Sequence, residues 1–267
     1  MKLRITGVVC GAGLVLCGAA GAYPGGTPGY QTDAAPFCAA CHSSRKVEAL
    51  AGVPGDRATK ELVENKHLAL IRAGKGGYEK LTPEQRTQLI EQIRALDEAS
   101  TVTLGAPLKV RRGETFKVTV DLTGGAGPVV GAALLDTPHR WLARPIASEG
   151  FLVVGPPTVI GQDFQEQHEW LSRRPEALGR NLSFVNVTGI SSDSAKREWG
   201  RAQVIWTLRA PQKVGSYTLV VGYFYGTEKA SPLGFTEDPI RGKLPRGGFG
   251  GHSGRILFSK VHKIQVQ

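Results

Sequence analysis

Thr115-Phe116-Lys117-Val118-Thr119-Val120-Asp121-Leu122 alternates polar and apolar side chains without a break, and that period of two reads as a half-buried strand. The same alternation returns in Val204, Trp206 and Leu208, and again in Tyr217, Leu219, Val221 and Tyr223. Arg112-Gly113, Gly124-Gly125, Pro211 and Gly215 supply turns between these runs. Short alternating strands over roughly 165 residues, with few helical stretches, predict an antiparallel sandwich with Trp206 in its core. Residues 155–182 and 226–254, rich in Gly, Pro and charge, are expected excursions from it.

Upstream of Ser100 the pattern from 38 to 99 is helical. Asp56 or Thr59 is placed to cap a helix over Lys60 to Ala73, with Gly74 as its stop. Leu81-Thr82-Pro83-Glu84-Gln85 is a start signal: Thr82 caps, Pro83 enters the first turn and Gln85 completes a capping box. The helix that follows puts Leu89, Ile93 and Leu96 on one face, with Ile90 beside it and Arg86, Glu91 and Arg94 toward water.

The chain opens with an export signal over residues 1–22. Lys2 and Arg4 form a basic start, Ile5 to Leu16 an apolar core, and Ala20-Gly21-Ala22 a cleavage site. The apolar run is too short for a spanning helix. A lipoprotein role for Cys17 is disfavoured by the bulky Leu16 before it. Residues 23–37, rich in Gly, Pro and Thr, form an extended leader. Cleavage removes Cys10 and Cys17, so Cys38 and Cys41 are the cysteines that remain.

Those two stand in Cys38-Ala39-Ala40-Cys41-His42, a C-x-x-C-H run. Two thiols one short turn apart reach both vinyl groups of a porphyrin, and the adjacent imidazole falls beneath the iron. The motif predicts one covalently bound haem c, with Cys38 and Cys41 as thioethers and His42 as proximal ligand.

On these residues and the closing helix from Leu81-Thr82-Pro83-Glu84, residues 35 to 99 resemble a small mono-haem cytochrome c domain. The resemblance implies a sixth iron ligand from a methionine ahead of the closing helix. The only methionine is Met1, which leaves with the signal. His67 is the expected distal ligand instead: it lies 25 residues after His42, and Val63, His67, Leu70 and Ile71 share helical spacing. Tyr78, Lys75 and Lys80 are weaker candidates, and an open sixth position is the consequential alternative. In the β part, Trp206-Thr207-Leu208-Arg209-Ala210-Pro211 followed by Gly215-Ser216-Tyr217-Thr218-Leu219 resembles late strands of secreted immunoglobulin-like or reeler-like sandwiches.

No catalytic constellation stands out beyond this. His139, His168 and His262 read as turn, loop and edge-strand residues, and the glycine-rich stretch 247–251 lacks the strand-to-helix setting of a nucleotide fingerprint.

The expected fold class is therefore α+β in two domains: a small all-α haem domain over 38–100, then an all-β antiparallel sandwich over 101–267. The chain carries 33 Lys and Arg against 23 Asp and Glu, and loss of Lys2 and Arg4 leaves +8. For an exported protein this favours an acidic redox partner or an anionic surface over nucleic acid. No further stretch is apolar enough to span a bilayer, and the chain ends in a strand, so no membrane anchor is expected. The expected function is one-electron transfer in the periplasm or outside the cell, as a carrier rather than an enzyme. Low potential from bis-histidine ligation belongs to that expectation, with the sandwich docking a partner or mediating assembly. The alternatives are an open-site gas sensor or redox enzyme, and a haem-bearing filament subunit.

Overall fold

The computed structural model describes residues 42–168, 183–228 and 252–267, with the backbone of two further strands at 232–238 and 242–247. Residues 1–37, expected as export signal and leader, together with Cys38, Cys41, Trp170 and the stretch 248–251, lie outside the described residues.

Strands account for most of the architecture. In chain order they begin with β1 (Ser43–Ser44), β2 (Thr101–Gly105), β3 (Lys109–Val110), β4 (Thr115–Thr123) and β5 (Val129–Leu135). Next come β6 (Leu152–Val153), β7 (Thr158–Ile160), β8 (Phe184–Thr188), β9 (Arg201–Arg209) and β10 (Gly215–Gly226). A hairpin of β11 (Pro232–Asp238) and β12 (Gly242–Gly247) precedes β13 (Gly254–Phe258) and β14 (His262–Val266). One sheet runs β2-β4-β9-β6, with β7 also on β9. The other runs β1-β13-β10-β14-β3, and β5 links β10 to β8. All pairings are antiparallel except two short edge pairs, β1 with β13 and β3 with β14.

The alternation in the sequence is what builds the sandwich. Phe116, Val118, Val120 and Leu122 of β4 face inward against Val204, Trp206 and Leu208 of β9 and Leu219, Val221 and Tyr223 of β10. Trp206 is wholly buried, as its position in an alternating run predicts. The second half of β10 is buried on both faces, from Leu219 to Tyr225. Its outward residue Phe224 joins Ala133, Leu135, Phe184 and Ile256 in a second apolar cluster. Both segments expected as excursions carry strands of their own, β7 in one and the β11–β12 hairpin in the other.

The expected separate all-α haem domain is not present. Helices among the described residues are few and, α3 apart, short: α1 (Gly55–Glu61), a π-helical turn at Glu64–Leu68, α2 (Ala69–Ala73) and α3 (Pro83–Ala99). Their shared apolar core is Leu68, Ile71, Tyr78, Ile90 and Ile93 with a few half-buried neighbours, too little to hold a domain alone. The segment therefore completes itself on the sheet. Directly after Cys41 the chain enters a strand and not a helix, with Ser43 opposite Arg255 and Ser44 opposite Ile256.

The helix expected over Lys60 to Ala73 is also corrected. It starts earlier and breaks at Leu62, whose backbone is extended (φ −72°, ψ 145°) and bridges to Ser44. Tertiary pairing overrides local propensity there. Gly74 does end the later piece, in the left-handed conformation at φ 61°. The capping box of Thr82 and Gln85 forms as read, and α3 buries Ile90, Ile93 and Leu96.

Candidate functional site

His42 follows Cys41 directly, where the chain meets the sheet. Its Nδ1 lies 3.0 Å from the carbonyl oxygen of Arg255 on β13. A carbonyl can only accept, so Nδ1 carries the proton and Nε2 keeps its lone pair. Among the described residues, none takes Nε2. Phe224 meets the ring edge-on at 6.3 Å between centroids. Gly254 leaves room for the imidazole: a Cβ on that glycine would sit 2.7 Å from the ring's Cδ2. Burial holds the His42 pKa down to about 4, from an ordinary 6.5, with Arg140, Lys66 and Arg255 adding repulsion. The backbone hydrogen bond opposes the shift without reversing it, and the imidazole is neutral at physiological pH.

The backbone of His42 is pinned as well. Buried Arg140 donates through Nη2 to the His42 carbonyl and through Nη1 to Ser44 Oγ at 3.0 Å. Lys66 Nζ reaches the same carbonyl at 3.4 Å. Glu61 balances both cations, 2.7 Å from Lys66 and 3.3 Å from Arg140.

His67 sits deeper and is fully buried. Arg255 Nη2 donates to its Nδ1 at 3.0 Å. Guanidinium has no acceptor, so the His67 proton is on Nε2, 2.7 Å from Tyr78 Oη and 3.4 Å from Glu228. Tyr78 in turn donates to Glu228 Oε2 at 2.9 Å. At the other end Arg255 Nε donates to Asp97, which also accepts from Tyr225 Oη at 2.9 Å. Burial lowers the His67 pKa, and burial together with the Glu228 carboxylate raises that of Tyr78.

Arg255 therefore connects the two histidines, orienting His42 through its carbonyl and holding His67 through its guanidinium. As placed, His67 has neither ring nitrogen to spare. For His67 to bind iron through Nε2, its proton must leave and the Tyr78 contact must be given up. His252 also comes close: its carbonyl accepts from Ser43 Oγ at 3.4 Å and Arg255 Nη1 at 3.2 Å, and its ring lies by Gly76. Lys75 and Lys80 are exposed. His139 sits in a turn, His168 is exposed, and His262 bonds the Pro107 carbonyl at an exposed edge.

Sequence reasoning passed over Arg255, Asp97, Tyr225 and Glu228. Asp97 gave one local signal, a charge next to Leu96 on the buried side of α3. The other three join only through the fold. Among the described residues no cluster of three or more His, Cys, Asp or Glu side chains is arranged to hold a metal ion. Among them, too, no helix is long and apolar enough to cross a membrane.

No protein-family description matches the chain, and no curated protein does. Among solved structures it is similar to the CARDB domain of a Pyrococcus furiosus protein, crystallised in complex with di-metal ions. The identity is 8 % over 64 % of this chain and 90 % of that one, with a TM-score of 0.23. At that level of overlap the β-sandwich is read from the strand pairings themselves.

Proposed function

We propose that this chain is an exported c-type cytochrome that carries single electrons. Cys38 and Cys41 would hold the haem by thioethers, and His42 would ligate its iron. One observation above all supports this: Nδ1 of His42 is committed to the Arg255 carbonyl, which leaves an unprotonated Nε2 with no described partner. A carbonyl accepting from the far nitrogen is a usual way for a protein to orient a metal-bound histidine. The neutral ring and the side-chain-free Gly254 beside it fit the same role.

When bound, the haem supplies a one-electron Fe(III)/Fe(II) couple. The chain's own residues set its surroundings. Arg255 orients the imidazole, Phe224 packs its edge, and Arg140 with Lys66 fixes the backbone that carries it. The signal-like segment at 1–22 supports a periplasmic or extracellular location. The basic balance suits an acidic redox partner, and the sandwich offers a scaffold for docking or assembly.

Intact-mass spectrometry of the exported protein tests the reading. A mass increment of one haem that resists acid-acetone extraction is expected, and unmodified thiols at Cys38 and Cys41 would end it.

The geometry of His67 favours a second reading of the sixth position. If His67 stays in its hydrogen-bond chain, the iron site is open and suited to a small ligand, as in a sensor or redox enzyme. If His67 leaves the chain for the iron, the site is bis-histidine and closed. Ready binding of carbon monoxide by the ferrous protein marks the first, and a low-spin spectrum that resists carbon monoxide marks the second.

A further inference from the structure

β10 runs from Gly215 to Gly226, and its two ends differ in character. Gly226 pairs with Gly254, beside His42. Gly215 pairs with Val266, roughly 35 Å of strand away. Two turns close over that second end: Arg112 N donates to the Gln267 carbonyl, and Ala210 N to the Glu114 carbonyl. The segments gathered there, 108–114, 209–214 and 262–266, carry Lys109, Arg111, Arg112, Arg209, Lys213 and Lys263, all exposed. Their one carboxylate side chain is Glu114, whose Oε2 accepts from the Arg111 backbone N–H at 2.6 Å. The resulting net of +5 is half the +10 of the whole chain. Glu149, on the turn whose Gly150 packs by Pro211, is already paired with Arg144 at 3.2 Å.

Three aliphatic side chains stand more than half exposed among these cations: Leu108, Leu152 and Val214. Leu108 adjoins Lys109, Val214 adjoins Lys213, and Leu152 lies opposite Arg209 in the ladder of β6 with β9. An exposed aliphatic is ordinary when scattered singly, whereas three of them beside cations at one end form a combination. Like charges gathered at one end repel, and an anionic surface relieves them. A nucleic acid or other polyanionic chain matches the charge but offers nothing apolar. A bilayer interface takes both, with headgroup phosphates against the cations and the acyl boundary against the aliphatics. We propose that this end of the sandwich docks peripherally on a bilayer containing anionic phospholipid. The contact leaves the His42 end of β10 pointing away from the membrane. It goes beyond the electron-transfer reading and rests on charge and exposure, not on the cofactor.

Cosedimentation of the exported protein with vesicles tests this, comparing phosphatidylcholine alone with phosphatidylcholine containing about one-third phosphatidylglycerol. Binding to the anionic vesicles is expected to be stronger by about tenfold or more, and to weaken as salt rises. Each cation near such a surface contributes about fivefold, so Arg111→Gln, Arg112→Gln and Lys213→Gln together should cost about a hundredfold. All three stand in exposed turns, and the circular dichroism should not change. The same charge removed from the helical part, as Lys46→Gln, Lys60→Gln and Lys75→Gln, should leave binding within about threefold. Leu108→Ser with Val214→Ser keeps every charge and should weaken vesicle binding by about tenfold, leaving any binding to poly-glutamate unchanged. Equal binding to the two vesicle types overturns the proposal, as does unchanged binding by the turn variant or by the serine variant. Binding of poly-glutamate without binding of vesicles assigns the surface to an acidic protein and overturns it too. Pelleted protein is measured by its tryptophan, with or without haem, so the outcome stands apart from the cofactor assignment.

Discussion

Arg255 Nε donates to both carboxylate oxygens of Asp97, at 3.0 and 3.2 Å, and so ties β13 to α3 across 158 positions of sequence. The guanidinium is wholly buried. Asp97→Ala would strand that charge, and the expected cost is about 3–5 kcal/mol of unfolding free energy. Asp97→Leu combined with Arg255→Met should recover part of it, since it removes both charges at once but also takes the partners of Tyr225 Oη and His67 Nδ1. Urea denaturation of the three proteins measures the difference. A loss under about 1 kcal/mol for the single variant would mean that the pair is not held as described.

Gly254→Ala tests the placement of His42. Its Cβ would lie 2.7–2.9 Å from three atoms of the imidazole, so the ring has to move. If the chain carries haem as proposed, reduced haem retention or an altered axial-ligand spectrum is expected. Gly226→Ala is the control, because Gly226 pairs with Gly254 yet its Cβ would meet only an ordinary contact at 3.5 Å. Indistinguishable spectra for the two variants would rule out the crowding.

A pH dependence follows for protein lacking haem, made as Cys38→Ser with Cys41→Ser. Folded His42 titrates near 4 against 6.5 in the unfolded chain. Above 6.5 both states are neutral and the residue adds no slope. Between 6.5 and 4 the unfolded chain binds a proton that the folded one refuses, so stability falls with pH. Each unit of pKa difference is worth about 1.4 kcal/mol, giving about 3 kcal/mol across the window. The lowered pKa of His67 acts in the same direction. Urea midpoints from pH 7 down to 4 read this out, and a flat profile would contradict the half-buried, neutral imidazole.

Phe224→Ala probes whether the helical segment and the sandwich form one unit. Phe224 touches His42 on one side and Phe184, 5.9 Å between centroids, on the other. Its truncation should cost about 3–5 kcal/mol. The wild-type protein should unfold in a single transition that tryptophan fluorescence and the helical far-ultraviolet signal report together. Two separated transitions would restore an independent helical domain.

What could be read from the sequence was what is decided locally. The capping box at Thr82 and Gln85, the stop at Gly74 and the inward sets of β4, β9 and β10 depend on neighbours within a few residues, and each stands as read. The break at Leu62 depends on a bridge to Ser44, and the strand at Ser43–Ser44 on a pairing with β13 more than two hundred positions away; no local pattern carried either. The same holds for the site. His42 and His67 were visible as residue types, whereas Arg255, which sets the hydrogen bonding of both, sits beside a glycine-rich stretch that looked like plain loop.

The pairing of Ser43 with Arg255 also dictates an order of assembly. A polypeptide is made amino end first, so both thiols and the imidazole are available long before the carbonyl that aims the ring exists. If a cofactor is attached to these thiols as proposed, attachment can precede the synthesis of β13, and the pairing of Ser43 with Arg255 follows it. A chain truncated before β13 would keep every atom needed for attachment and lose the means to orient it.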